Sequence, residues 1–232
     1  MKKHLPNAFT LLNLFSGCCA IIACLQDNFT LVPIFIGISL LADFLDGFVA
    51  RALHVSSELG GELDSLSDVV SFGVLPGMML YKLIGSNTAF CCNNILPYVG
   101  FVYALFASLR LAKFNLDTRQ TENFIGLNTP SGALFVLGLY ANYFYKIFNI
   151  SILYHPISLI IITIILAYFM VAEFSMFSLK GNPFDWKKNK YRVLLLIFAV
   201  PQIIFLNWLG LSTIILSYII FAYLHNSLNK AT

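Results

Sequence analysis

The sequence predicts an all-α integral membrane protein, a single bundle of about eight transmembrane helices. Of its 232 residues, 59% are hydrophobic and only 11% are charged, and its mean hydropathy is +0.81. A soluble domain carries about 25% charged residues, so this chain lacks the charge for a water-facing surface. Its apolar runs do not alternate with polar residues as the strands of a membrane barrel do, which favours helices.

Eight apolar runs define the predicted helices, since a helix needs about 20 mostly apolar residues to cross a bilayer. In chain order they are residues 8–25, 31–53, 64–84, 95–114, 129–148, 156–176, 191–208 and 210–227. The last two are short and nearly continuous, so a tight helical hairpin is expected there. No soluble domain interrupts the runs, and we expect one membrane domain over residues 1–232.

The basic residues predict the orientation, because lysine and arginine accumulate in cytosolic loops. With the N-terminus in the cytosol, the opposite side holds only Lys82 and Lys146. The cytosolic side then holds twelve basic residues: Lys2, Lys3, Arg51, Arg110, Lys113, Arg119, Lys180, Lys187, Lys188, Lys190, Arg192 and Lys230. Both termini are therefore expected in the cytosol. The net charge of +3 suits anionic lipid headgroups and requires no nucleic-acid partner.

Four aspartates lie at one end of the second and third predicted spans, where ionisable groups are costly. Asp43 and Asp46 are three residues apart and Asp64 and Asp68 are four apart, so each pair shares a helix face. Because the two spans are antiparallel, both pairs lie at similar depth. If the two faces meet, the four carboxylates converge and require cations to offset their charge.

Hard oxygen ligands without cysteine or histidine favour Mg²⁺, Mn²⁺ or Ca²⁺. Two such ions can form a clamp for phosphoryl transfer. Nearby residues suit a phosphate ligand: Gly47 leaves room at the helix surface, and Arg51 offers a guanidinium. Gly60, followed by Gly61, is expected to let the loop before the third span turn. Taken singly, Gly47 fits helix packing and Arg51 fits an ordinary cytosolic residue, so the joint pattern carries the prediction.

The spacing of these residues resembles the complete signature of the CDP-alcohol phosphatidyltransferase family. Eight fixed positions within 26 residues match it: Asp43-x2-Asp46-Gly47-x2-Ala50-Arg51-x8-Gly60-x3-Asp64-x3-Asp68. The resemblance implies a phosphatidyl group transferred from a CDP-linked lipid to an alcohol, with release of CMP. It also implies two divalent ions, Mg²⁺ or Mn²⁺, on the four aspartates, and Asp68 as the base that deprotonates the acceptor hydroxyl.

Further segments resemble the integral-membrane phosphatidylserine synthases within that family. These are residues 63–76 (LDSLSDVVSFGVLP), 5–17 (LPNAFTLLNLFSG), 110–115 (RLAKFN) and 124–133 (FIGLNTPSGA). The resemblance implies CDP-diacylglycerol and L-serine as substrates, bilayer lipids around the protein, and a homodimer in the cytoplasmic membrane. It assigns the CDP-lipid to Gly47, Arg51, Ser57, Asn7 and Gly60, while Arg110 is a candidate for the serine carboxylate or the diphosphate.

Two alternatives remain open at this point. The same chemistry could use another acceptor, such as glycerol 3-phosphate, inositol or inositol phosphate. A cation transporter or channel could instead use the acidic cluster as its ion path. That reading leaves Gly47, Ala50 and Arg51 at their spacings without an explanation.

Overall fold

Nearly all of the regular structure is helical. The computed structural model describes residues 4–55, 57–86, 95–117, 124–176 and 186–229. Its elements are, in chain order, α1 (Leu5–Leu25), α2 (Leu31–Leu53), α3 (Glu58–Asp68), a π-helical segment (Val69–Val74), α4 (Leu75–Ser86), a 3₁₀ segment (Leu96–Phe101), α5 (Val102–Leu116), β1 (Phe124–Ile125), α6 (Thr129–Tyr145), α7 (Pro156–Val171), β2 (Ser175–Met176), α8 (Trp186–Leu206) and α9 (Trp208–Asn229). The helices follow the order of the eight predicted runs.

Five helical stretches within the described ranges are long and apolar enough to cross a membrane: Leu5–Leu25, Leu31–Leu53, Glu58–Ser86, Leu96–Leu116 and Trp208–His225. Two shorter apolar stretches, Pro156–Val171 and Val193–Leu206, accompany them. Large apolar side chains point away from the protein, as at Phe44 and Phe48, which are 59% and 54% exposed. A bilayer is the solvent in which such a surface is stable, and the protein is therefore a multi-pass membrane protein.

Small and polar residues line the face that α1 turns towards α2, α3 and the π-helical segment. A Cβ atom on Gly17 would collide with the Ser71 side chain. Small residues let membrane helices approach closely, because packing rather than the hydrophobic effect drives their association. This approach brings the polar side chains of α1 beside those of α2 and α3.

The third predicted span corresponds to one continuous helical rod made of α3, the π-helical segment and α4. This rod begins earlier than the sequence predicted. Ser57 caps α3, its hydroxyl accepting a hydrogen bond from the backbone N–H of Gly60 at 3.1 Å. Gly60 and Gly61 are thus helical residues, and the prediction that they form a flexible loop was wrong. Gly60 serves close approach instead, since a Cβ there would lie 3.3 Å from the Asn7 amide oxygen of α1.

The same rod changes its winding between α3 and α4. In the π-helical segment the backbone N–H of Leu75 donates to the carbonyl of Val70, five residues back. Pro76 follows in α4, lacks an N–H and cannot fit a regular α-helical turn without a clash. The wider π turn accommodates the proline. It lies directly after Asp68, so it also sets the direction of that end of the rod.

The helix of the sixth predicted span, residues 156–176, ends earlier than predicted, because β2 occupies the last residues of that span. Helix α7 ends at Val171, and β2 pairs antiparallel with β1. Gly126 has a φ of +76°, a conformation that glycine adopts without strain. Its N–H donates to the Phe174 carbonyl at 2.8 Å, and the N–H of Leu127 donates to the Phe169 carbonyl at 2.9 Å. These bonds fasten the segment before α6 to the end of α7.

The last two helices form a tight hairpin. Asn207, with a φ of +50°, is the single residue between α8 and α9. A Cβ on Gly210 would collide with the Gln202 carbonyl, so a glycine is needed at the start of α9. Helix α9 packs on α6, where the Ser212 hydroxyl donates to the Phe135 carbonyl at 2.7 Å. The hairpin is thereby attached to the bundle through α9.

Candidate active site

Three aspartates from helices α2 and α3 form a compact acidic group. One carboxylate oxygen from each of Asp43, Asp64 and Asp68 lies within 4.8 Å of the others. Asp43 and Asp64 are close enough to share a hydrogen bond, and Asp68 is almost completely buried. The antiparallel arrangement of α2 and α3 thus brings together the residues that the sequence placed at similar depth.

The fourth aspartate lies beside this group and faces a cavity. Asp46 is buried and accepts a hydrogen bond from the Thr10 hydroxyl at 2.7 Å. The cavity has a volume of about 200 Å³, and both Asp46 and Asp64 line it. Thr10 therefore turns Asp46 towards the cavity, while Asp64 borders both the cavity and the acidic group.

Asp68 is held by a side chain from the first helix. The Asn13 amide nitrogen donates to Asp68 Oδ1 at 3.1 Å. The Asn13 backbone carbonyl accepts hydrogen bonds from Ser39 Oγ of α2 at 3.2 Å and Ser71 Oγ of the π-helical segment at 3.1 Å. Asn13 is thus anchored from two sides, and the orientation of Asp68 depends on α1 as well as on its own helix.

The predicted CDP-lipid residues surround the cavity. Its wall includes Asn7, Gly47, Ser57 and Gly60. The fifth residue, Arg51, is exposed and folds back over the glycine. A Cβ on Gly47 would lie 3.2 Å from Arg51 Nη1, so the missing side chain gives the guanidinium room beside the cavity. Ser57 is exposed and Asn7 is partly buried, and the Ser57 hydroxyl already caps α3.

Arg110 lies on α5 and is 7% exposed. Its Nη1 donates to Thr129 Oγ1 at 3.3 Å, and its guanidinium lies 5.6 Å from the centre of the Phe114 ring. It is also within electrostatic reach of Asp68. The arginine therefore lies near the acidic group, on a helix that supplies none of its carboxylates.

The acidic group fits divalent cations. Asp64 Oδ1 is buried and has no hydrogen-bond partner among the described residues, and a buried acceptor of this kind is costly unless a ligand satisfies it. Carboxylate oxygens without nitrogen or sulfur ligands are the donor set of Mg²⁺ and Mn²⁺. Asp43, Asp64 and Asp68 could hold one ion directly, with Asp46 available on the cavity side.

Two polar residues of the segment 5–17, which were not among the predicted site residues, hydrogen-bond to aspartates of the site. Thr10 and Asn13, with Asn7, recur at three-residue intervals on α1, a spacing that places side chains on one helix face. This periodicity could have identified α1 as a third wall of the site. Their partners on α2 and α3 could not be read from the spacing alone.

The comparison with protein families accounts for most of the chain. The sequence model described as CDP-alcohol phosphatidyltransferase matches residues 3–225. The chain belongs to this family. Its members transfer a phosphatidyl group from a CDP-alcohol, a reaction that agrees with an acidic group that could hold a metal ion beside a cavity lined by Asp46 and Asp64.

The curated relatives name a narrower activity. A protein from Bacillus subtilis, named CDP-diacylglycerol–serine O-phosphatidyltransferase, is 33% identical over 175 residues, which is 74% of this chain and 88% of that protein. Proteins of the same name from Methanocaldococcus jannaschii and Helicobacter pylori (strain J99) are 40% and 36% identical over 129 and 134 residues, 56% and 57% of this chain. The aligned segments span about half of those two proteins, 56% and 55%.

Proposed function

We propose that this protein is a metal-dependent CDP-diacylglycerol–serine O-phosphatidyltransferase, which makes phosphatidylserine and CMP. The observation that carries the proposal is the acidic group of Asp43, Asp64 and Asp68 beside a cavity lined by Asp46 and Gly47. The names of the relatives from bacteria and an archaeon support the choice of serine. A single domain over residues 1–232, with the catalytic motif at 43–68, carries the activity.

The donor lipid binds with its acyl chains in the bilayer and its cytidine diphosphate in the cavity of about 200 Å³. Gly47 and Gly60 let the ligand approach the helix backbones, while Asn7 and Ser57 offer polar contacts. Arg51 supplies a permanent positive charge beside the diphosphate. Two divalent cations, Mg²⁺ or Mn²⁺ on the four aspartates, would offset the charge of the phosphates and of the departing CMP.

Asp68 acts as the general base. It accepts the proton of the serine hydroxyl, whose oxygen attacks the phosphorus attached to the lipid. A bond forms between the serine oxygen and that phosphorus, and the bond from the phosphorus to the CMP oxygen breaks. Asn13 keeps the Asp68 carboxylate in one orientation during this step, through its bond of 3.1 Å to Oδ1.

The active site faces the cytosol in this proposal, and both termini lie on that side. The support is the distribution of the basic residues, although Lys2, Lys3, Arg119, Lys180 and Lys230 lie outside the described residues. Lys82, assigned to the opposite side, donates to the Cys24 and Leu25 carbonyls at the end of α1 that is remote from Thr10 and Asn13. The eight predicted spans and a homodimer in the cytoplasmic membrane complete the proposal.

The proposal is tested by CMP release from the purified protein in detergent with CDP-diacylglycerol. L-serine, glycerol 3-phosphate and inositol are compared as acceptors, with Mg²⁺, Mn²⁺ or EDTA. Metal-dependent release with serine alone is expected. Release with another acceptor would retain the family chemistry and reject serine. If no acceptor releases CMP while liposomes containing the protein take up Mg²⁺, the acidic group belongs to an ion path.

A further inference from the structure

A buried polar cluster lies between α5 and α6, beyond the acidic group. Tyr103 and Arg110 come from α5, two turns apart, and Thr129 and Gly132 come from the first turn of α6. Tyr103 is completely buried, and Arg110 is 7% exposed. The two α5 side chains are within electrostatic reach of each other. A cation and a phenol therefore lie together in the interior of the protein.

Two hydrogen-bond donors of this cluster have no partner among the described residues. They are the Nε–H of Arg110 and the hydroxyl of Tyr103. The Thr129 hydroxyl satisfies only Nη1 of the arginine. Buried donors without acceptors are rare, because each forfeits its hydrogen bonds to water. Two unsatisfied donors beside a buried positive charge indicate a site for an anionic group with two acceptor oxygens.

Gly132 on α6 leaves the space that the Tyr103 hydroxyl occupies. A Cβ on Gly132 would lie 2.5 Å from the Tyr103 hydroxyl oxygen and 2.6 Å from Met170 Cε. Any larger residue would displace the hydroxyl. Met170 and Arg110 both line a second cavity, of about 50 Å³, whose other charged residues are Lys113, Asp117 and Glu173. Through Arg110 the cluster thus borders a small cavity, which shares no lining residue with the cavity assigned to the CDP-lipid.

We propose that Tyr103 and Arg110 together bind the carboxylate of the amino-acid acceptor, and that Gly132 keeps the Tyr103 hydroxyl in position. This inference rests on the proposed function. The carboxylate accepts from Arg110 Nε and from the Tyr103 hydroxyl, two donors that otherwise remain unsatisfied. Since Arg110 is also within electrostatic reach of Asp68, an acceptor held here by its carboxylate presents its hydroxyl towards the base. Acceptors without a carboxylate leave both donors buried and unpaired.

The test compares Tyr103→Phe with the wild-type protein on L-serine and on serinol, which replaces the carboxylate with a hydroxymethyl group. Loss of a hydrogen bond to a charged group is expected to raise KM for serine about tenfold. The values of kcat and of KM for CDP-diacylglycerol are expected to change less than twofold. The ratio of kcat/KM for serine to that for serinol is expected to fall about tenfold, because only serine loses the contact.

Tyr168→Phe is the matched control, since this tyrosine of α7 is 64% exposed, and it is expected to leave all of these constants unchanged. Gly132→Ala is a second variant and is expected to raise KM for serine in the same way. Thermal unfolding of each variant in detergent identifies a folding defect. An unchanged serine-to-serinol ratio in both Tyr103→Phe and Gly132→Ala would overturn the inference. If the wild-type protein does not use serine as an acceptor, the proposed function itself is overturned.

Discussion

At the residue scale, the site depends on side chains that hold other side chains. Asp68 is oriented by Asn13, and Asp46 is oriented by Thr10. Both orienting residues belong to α1, which contributes none of the carboxylates. A neutral donor fixes the direction of a carboxylate, which a general base and a metal ligand both require. The first helix is therefore part of the candidate active site.

Asp68→Asn tests the general base. The amide keeps the size of the side chain but accepts no proton, so we expect CMP release with saturating serine to fall about 10²- to 10⁴-fold. The change is measured with purified protein in detergent, with its thermal midpoint as a control for folding. Turnover within threefold of the wild-type value would show that another group accepts the proton.

Asn13→Ala tests the orienting role of α1. Without the amide, the Asp68 carboxylate is free to rotate, and we expect kcat to fall about tenfold while KM for CDP-diacylglycerol changes little. Asn28→Ala is the control, because the Asn28 amide oxygen accepts from the backbone N–H of Leu31 at the start of α2, the end remote from the acidic residues. Equal losses of activity in the two variants would indicate general destabilisation instead of a loss of orientation.

At the scale of elements, helix approach decides whether the site forms. The α1 helix reaches the π-helical segment only because Gly17 has no side chain to meet Ser71. The Ser71 hydroxyl then donates to the carbonyl of Asn13, one turn before the glycine. The close contact between α1 and the π-helical segment therefore also fixes Asn13, the residue that orients Asp68.

Gly17→Ala and Gly37→Ala form a matched pair that tests this coupling. A Cβ on Gly17 would collide with Ser71, whereas a Cβ on Gly37 would have no neighbour within 4 Å. We expect Gly17→Ala to cost about 1–3 kcal/mol of stability and to lower activity. Gly37→Ala is expected to be neutral or to stabilise α2 by about 0.5–1 kcal/mol. Thermal unfolding and CMP release measure both effects, and similar results for the two variants would contradict the coupling.

The sequence predicted most helices well and the changes of winding poorly. The eight runs were predicted from the length of each apolar stretch, a property that can be read from neighbouring residues. The early start of α3 depends instead on one hydrogen bond from Gly60 to Ser57. The end of α7 depends on pairing with β1, a segment about 50 residues away. Contacts between distant residues, like those of Thr10 and Asn13, leave no periodic pattern that identifies the partner.

At the scale of the whole molecule, the site is built by one half of the bundle and completed by the other. Helices α1, α2 and α3 supply the carboxylates and the residues that hold them. Helices α5 and α6 supply Arg110, Tyr103 and Thr129. A cation bound by the carboxylates of α2 and α3 is expected to stabilise the folded protein as well as to support catalysis.

Metal binding is therefore expected to raise the thermal midpoint of the whole protein. EDTA should abolish CMP release and lower the midpoint in detergent, and adding Mg²⁺ or Mn²⁺ in excess should restore both. At a metal concentration about 100 times its Kd, the gain in stability is about 2.7 kcal/mol. Asp64→Asn is expected to reduce the metal-dependent shift. A midpoint that is independent of metal in both proteins would contradict a resident ion in this site.

The position of the acidic motif near the start of the chain has a consequence for biosynthesis. Every carboxylate of the site precedes residue 69, whereas Arg110 follows some 40 residues later. During synthesis, the acidic helices therefore reach the membrane earlier than Arg110, the buried arginine that lies near them. An ionised aspartate at the centre of an inserting helix costs about 2.5–3.5 kcal/mol. Protons or divalent ions are therefore expected to neutralise these aspartates during insertion, before Arg110 is present as a counter-charge.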